Sequence, residues 1–302
     1  MAQEQLQQME QCLKEKVIGQ DEAVASVVQV VGTARDALKK PGRPVAVLLF
    51  VGPRGVGKTS LARALAEFLF GSENGMLYLD MSEYTEKHNV TRLIGPLEDY
   101  FRPGVYEGEL TGWLRHQPDS IVLIEDVEKA CAEVLNIFQD LFHEGRLTDS
   151  RGQTVDARNT IFILTFDIVA LERGERMNRQ SLLEYVKRIF RPEFLNCIDE
   201  IIFFRPLEPD SISKIASNLL DSLRCRLEER NISFSIDDKA LQLICNEGYH
   251  PEHGVSLIGR TIESLITTPL SNKVLTGELS SGDRVLVTTR DGQVEFVKLE
   301  KG

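Results

Sequence analysis

Val45-Ala46-Val47-Leu48-Leu49-Phe50-Val51 runs without a polar side chain straight into Gly52-Pro53-Arg54-Gly55-Val56-Gly57-Lys58-Thr59. A continuous apolar run of this length predicts a strand buried on both faces, the kind that sits inside a parallel sheet covered by helices. Behind it, Ser60 to Phe70 reads as a helix. Glycines let backbone N–H groups close around an anion, and a helix N-terminus adds a favourable dipole. In this setting, strand before and helix after, the spacing predicts a phosphate loop formed by Gly52, Pro53, Arg54, Gly55, Val56, Gly57, Lys58, Thr59 and Ser60. Lys58 would neutralise β and γ phosphates, and the Thr59 hydroxyl would ligate Mg2+. The competing account, a glycine-rich turn that matches by chance, does not explain the flanking elements.

Outward from this loop the chain alternates strand and helix. Residues 3–16 and 20–38 read as helices before it. After it come strands at Met76–Asp80 and Ser120–Glu125, a helix at Ala130–Phe142, and strands at Thr160–Thr165 and Glu200–Phe204. The expected fold is α/β, a parallel sheet with helices on both faces. The pattern changes past Arg205-Pro206. A long helix over 210–230, a short strand Ile232–Ile236, helices over 237–247 and 255–273, and a hairpin of Arg284–Thr289 and Val294–Leu299 predict a smaller α+β domain. The expected division is therefore 1–205 and 206–302.

Composition narrows the function classes. The 302 residues are 42% hydrophobic and 27% charged, ordinary for a globular chain. Lys+Arg 35 against Asp+Glu 46 leaves −11, which speaks against nucleic acid as a partner. Five separated cysteines with no Cys-x-x-Cys pair suit reduced thiols and a cytoplasmic setting. No run approaches the ~18 apolar residues of a membrane span, and the polar start MAQEQLQQMEQ holds no signal core, so no membrane or export is expected.

Ile121-Val122-Leu123-Ile124 ends in Glu125-Asp126, the acidic strand end that completes a phosphate-loop site. One carboxylate there, Glu125 or Asp126, would join Thr59 in holding Mg2+, and the other would polarise the attacking water. His250-Pro251-Glu252-His253 lacks a third ligand and reads as packing, not as a metal pair.

These motifs, together with Val17-Ile18-Gly19-Gln20-Asp21-Glu22-Ala23-Val24, Asp80-Met81-Ser82-Glu83-Tyr84, Val127-Glu128-Lys129-Ala130, Glu144-Gly145-Arg146-Leu147-Thr148-Asp149 and Phe190-Arg191-Pro192-Glu193-Phe194-Leu195-Asn196, carry a resemblance over about 12–298. The chain resembles the second AAA+ module, with its small C-terminal domain, of the Clp ATPases of the ClpA, ClpB and ClpC group. That resemblance implies a five-stranded parallel sheet, an α+β lid, ATP or ADP with Mg2+, and Val17 and Ile18 in the adenine pocket. It further implies hexameric rings of Clp-type subunits that act on polypeptide substrates through a pore loop. Tyr100 could grip the substrate there, assisted by Phe101; the alternatives are a register that slips to Tyr106 and a Tyr100 that packs on its own loop.

Several positions depart from the family pattern. Relatives end the acidic strand Asp-Glu. The inverted Glu125-Asp126 leaves the base one methylene short, a displacement of about 1.5 Å, and about 1 Å of misplacement can cost ~10²-fold in rate. Where the family has Thr-Ser-Asn, this chain has Thr165-Phe166-Asp167, an acid facing a γ-phosphate. Cys197 stands where relatives place an arginine that reaches the neighbouring subunit, a group that contributes ~10³–10⁵ in kcat. Ser256 replaces a lid arginine. Catalytic roles thus fall to Glu125, Asp126 and Asp167 in weakened form. The expected function is nucleotide binding with weak or absent hydrolysis, as a structural or regulatory part in protein remodelling. The alternative is a working unfoldase or disaggregase motor.

Overall fold

The computed structural model describes residues 3–35, 42–96, 107–168, 177–250 and 254–299. Helix α1 (Gln3–Lys16) is polar and buries Met9 and Leu13. Helix α2 (Asp21–Arg35) begins just after Gln20, whose buried side chain holds the far end of the same unit: Nε2 donates to the Arg205 carbonyl at 2.8 Å, and the Arg205 N–H donates to Oε1 at 3.1 Å.

Strand β1 (Ala46–Gly52) is buried at all seven positions. There follow α3 (Lys58–Phe70), β2 (Met76–Asp80), α4 (Val90–Ile94), α5 (Glu109–His116), β3 (Ile121–Glu125), α6 (Ala132–Glu144), the short strands β4 (Arg146–Thr148) and β5 (Thr154–Asp156), β6 (Ile161–Asp167), a helix Arg179–Ile189, and β7 (Glu200–Phe203). The main sheet has five parallel strands in the order β2-β3-β6-β1-β7. The apolar runs of β1, β3 and β6 occupy its three inner places, where both faces are covered. Edge strand β2 is different: Tyr78 at its centre is 46% exposed. Phe138, Phe142, Phe162 and Phe194 form a linked aromatic group in the core.

From residue 206 on, a second compact unit forms, with residues 53–56 clustering to it. It holds the helices Pro209–Glu228 and Asp238–Gly248 and a sheet ordered β10-β9-β8, made of β8 (Ser233–Ile236), β9 (Arg284–Arg290) and β10 (Gln293–Leu299). The hairpin turn is Asp291-Gly292 with φ of 51° and 76°, the doubly left-handed pair that suits a two-residue loop.

The helix expected over 255–273 is interrupted. It runs as Ile258–Ile262, a π-turn Glu263–Thr267, then Thr268–Leu275. Pro269 explains the break: it donates no N–H and its ring crowds the carbonyl four residues back, so the preceding turn widens. The sequence reading also missed the β4–β5 hairpin and the helix Arg179–Ile189.

Candidate functional site

The carboxyl ends of β1, β6 and β3 bring the predicted residues together. β1 and β6 pair with Gly52 opposite Asp167, and β2 and β3 pair with Asp80 opposite Glu125. Beyond Gly52 the loop turns through Gly55 at φ +65° and Gly57 at φ +106°, conformations that side chains rarely adopt. A Cβ on Gly57 would lie 3.2 Å from Val17 Cγ1, so the loop sits hard against the segment after α1. Val17 is buried there and Ile18 is half-buried. Pro53 and Val56 are buried, while Arg54 and Ser60 face solvent.

Lys58 opens α3 and is buried. Its Nζ donates to the Gly52 carbonyl at 3.1 Å and forms an ion pair with Asp167 Oδ1 at 2.7 Å. The Thr59 hydroxyl donates to Glu125 Oε1, and the Tyr78 hydroxyl donates to Glu125 Oε2 at 2.8 Å. Both oxygens of Glu125 thus meet hydroxyls. Burial, with the Glu125 contact second, pushes the Tyr78 phenol well above its ordinary range, so it stays a donor.

Asp126 takes a left-handed conformation at φ 53° as the chain leaves β3. Its N–H donates to Thr165 Oγ1 at 3.2 Å, and its carboxylate pairs with Lys129 at 2.5 Å. Next to it, Glu128 Oε2 is enclosed and meets no hydrogen-bond partner among the described residues. Burial, with Asp126 and Asp167 acting in the same direction, pushes the Glu128 carboxyl up to about 7, against its own backbone N–H and Lys129. Tyr78 and Glu128 were missed by sequence reasoning. The one available signal for Tyr78 was strand alternation, which puts it on the face of β2 shared with Asp80.

Cys197 is buried, 6% exposed, and its thiol points at the carbonyls of Glu193 at 3.5 Å and Gln139 at 3.8 Å. Burial raises its pKa, with Arg43 opposing. A thiol buried this way, with its pKa raised, is a poor nucleophile. Ser256 is exposed. Tyr100 and Phe101, the expected gripping pair, lie outside the described residues, as does His253; His250 makes backbone bonds with Gly254. No metal-holding group of three or more His, Cys, Asp or Glu occurs among the described residues.

A family model described as "AAA domain (Cdc48 subfamily)" matches residues 43–201, more than half of the chain. The chain belongs to this AAA family. A second model, described as the C-terminal D2-small domain of ClpB protein, matches residues 207–287. Similar proteins include the chaperone protein ClpB of Aquifex aeolicus, 40% identical over 99% of this chain and 31% of that protein. The negative regulator of genetic competence ClpC/MecB of Bacillus subtilis is 42% identical over 97% of this chain and 38% of that protein. ClpB of Nitratidesulfovibrio vulgaris is 43% identical over 97% of this chain and 35% of that protein. The AAA chain thus spans about a third of the length of these curated relatives and corresponds to a Clp-type AAA+ module of them.

Nucleotide and Mg2+ use is general in the AAA family. The residues here fit both groups. The left-handed glycines and the start of α3 leave backbone N–H groups for phosphate oxygens, with Lys58 beside them. Thr59 and Glu125 offer hard oxygen donors, which suits Mg2+, an ion commonly held by one or two protein ligands with phosphates and water completing the shell.

Proposed function

We propose that this AAA module binds ATP or ADP with Mg2+ through Gly52–Thr59, hydrolyses it weakly or not at all, and serves as a structural or regulatory part of a Clp-type assembly that acts on polypeptides. In this reading Lys58 neutralises phosphate charge, Thr59 and Glu125 hold Mg2+, and Val17 with Ile18 borders the base. Bound Mg2+ would supply charge stabilisation to the terminal phosphates.

The observation that carries the reading is the division of labour at the end of β3. Glu125 faces Thr59 on one oxygen and Tyr78 on the other, so it is the ligand-type acid. The acid left to activate water, Asp126, is the shorter one and pairs with Lys129 at 2.5 Å. A carboxylate that stops about 1.5 Å sooner than a glutamate and is already engaged by an ammonium is poorly placed to reach an attacking water.

A nucleotide titration coupled to phosphate release on the same sample tests this. Expected are saturable binding, loss of most affinity in Lys58→Ala, and turnover at least ~10³-fold below the ~10 s⁻¹ of a median enzyme. Turnover in the ordinary range would overturn the weak-hydrolysis reading, and unchanged affinity in Lys58→Ala would overturn the loop assignment.

One observation favours the motor reading instead. Glu128, with its enclosed oxygen and a pKa pushed up to about 7, has the proton affinity of a general base. If Glu128 serves so, Glu128→Gln abolishes a turnover that the wild type possesses.

A further inference from the structure

We infer that Asp167 makes this pocket prefer a nucleoside diphosphate over a triphosphate. The inference rests on the nucleotide-binding reading above and concerns which nucleotide the same site holds. Its ground is the buried ion pair between Lys58 and Asp167, 2.7 Å apart with side chains only 7% and 10% exposed. The parallel register that sets Gly52 opposite Asp167 fixes this carboxylate at the mouth of the loop.

Two consequences follow from the charges. First, the ammonium that a terminal phosphate would recruit is already compensated by a carboxylate inside the fold, so a triphosphate gains less from Lys58 than it would from a cation with a neutral neighbour. Second, an ionised carboxylate offers acceptors and no donor. A γ-phosphate drawn to Lys58 is therefore brought beside a like charge in a place where water screens poorly, and like charges there are strongly disfavoured. A diphosphate ends one group earlier. Its β-phosphate would meet the backbone N–H groups of the loop and of the first turn of α3 besides Lys58, and it would stop one group short of the Asp167 carboxylate. The pocket is thus built to retain the product state of an ATPase.

Calorimetric titration of the full chain with Mg·ADP and with Mg·β,γ-imido-ATP, at one pH and salt, tests this on the wild type, Asp167→Asn and Asp167→Glu. The wild type should hold the diphosphate at least ~10-fold more tightly, a gap equal to one decade in binding constant. Asp167→Asn removes the charge and supplies an amide donor, so it should tighten the imido-triphosphate about 10-fold while ADP changes less than about 3-fold. Asp167→Glu keeps the charge and should keep the preference. Equal affinities in the wild type overturn the inference whatever the variants do. An Asp167→Asn variant that shifts both nucleotides alike also overturns it, because Asp167 would then act only on the fold. Should Asp167→Asn melt below the assay temperature, Asp167→Ser carries the same reading. A wild type that binds neither nucleotide sinks the nucleotide-binding reading itself, an outcome distinct from equal binding of both.

Discussion

Glu128 is the residue with the largest untested consequence for stability. In the fold its carboxyl keeps a proton up to about pH 7, whereas the unfolded chain releases it near 4.5. Between those values the native state binds more protons than the unfolded one, so stability falls as pH rises, and the loss is complete above pH 7. A shift of this size corresponds to about 3 kcal/mol at ~1.4 kcal/mol per pH unit. Glu128→Gln should therefore be more stable than the wild type at pH 8, by up to about 3 kcal/mol, with the difference vanishing near pH 4.5. Urea unfolding at both pH values checks this, and a pH-independent difference would refute it. The thiols divide just as sharply by surroundings. Cys225 is exposed, whereas Cys197 and Cys245 are buried with their pKa raised by that burial. A thiol-specific reagent should label Cys225 well before either buried cysteine. Fast labelling of Cys197 in the native protein would contradict its inward placement.

The element that transmits these placements is β1. Where it hands over to the loop, a Cβ on Gly52 would stand 2.8 Å from both the Cβ and the carbonyl oxygen of Phe204, whose own N–H is tied to Val51 at 2.7 Å. Backbone on one side and a bonded strand on the other cannot step back, so Gly52→Ala should cost about 1–3 kcal/mol and weaken nucleotide binding. Gly292→Ala in the small hairpin meets open space, and its cost, ~1–2 kcal/mol, comes only from its φ of +76°. Thermal melting of the two variants beside nucleotide titration separates these causes: Gly292→Ala should leave affinity untouched. The same elements explain what could be read in advance. The runs forming β1, β3 and β6 are apolar throughout because both their faces are covered, and so they stood out in the sequence, as did the loop with Thr59 and the Glu125 that meets it. Strands β4 and β5, three residues each and buried only at Leu147 and Val155, are too short to show a period. Tyr78 and the Lys58–Asp167 contact depend on which strands are neighbours, β3 beside β2 and β6 beside β1, and no local pattern encodes sheet order.

At the scale of the molecule the charge of −11 bears on assembly. In the reading proposed above, a ring of Clp-type subunits would close partly through arginines that reach a neighbour's nucleotide. Position 197 offers a buried thiol instead, with Arg43 turned inward to the Cys197 carbonyl and 3.4 Å from Asp199. Neither group can neutralise a phosphate on another copy. Copies that each carry −11 also repel one another, over a distance of ~10 Å at 0.1 M salt that shrinks to ~3 Å at 1 M. Bound ATP adds negative charge to every copy without a cation arriving from the neighbour. The chain should therefore scatter light as a monomer at 0.1 M salt, with or without ATP, and any self-association should grow as salt is raised. A stable hexamer at low salt that requires ATP would refute this, since it would demand a bridging cation that position 197 does not supply. Association that weakens with added salt would refute it as well, by showing that complementary charges, not repulsion, govern how copies meet.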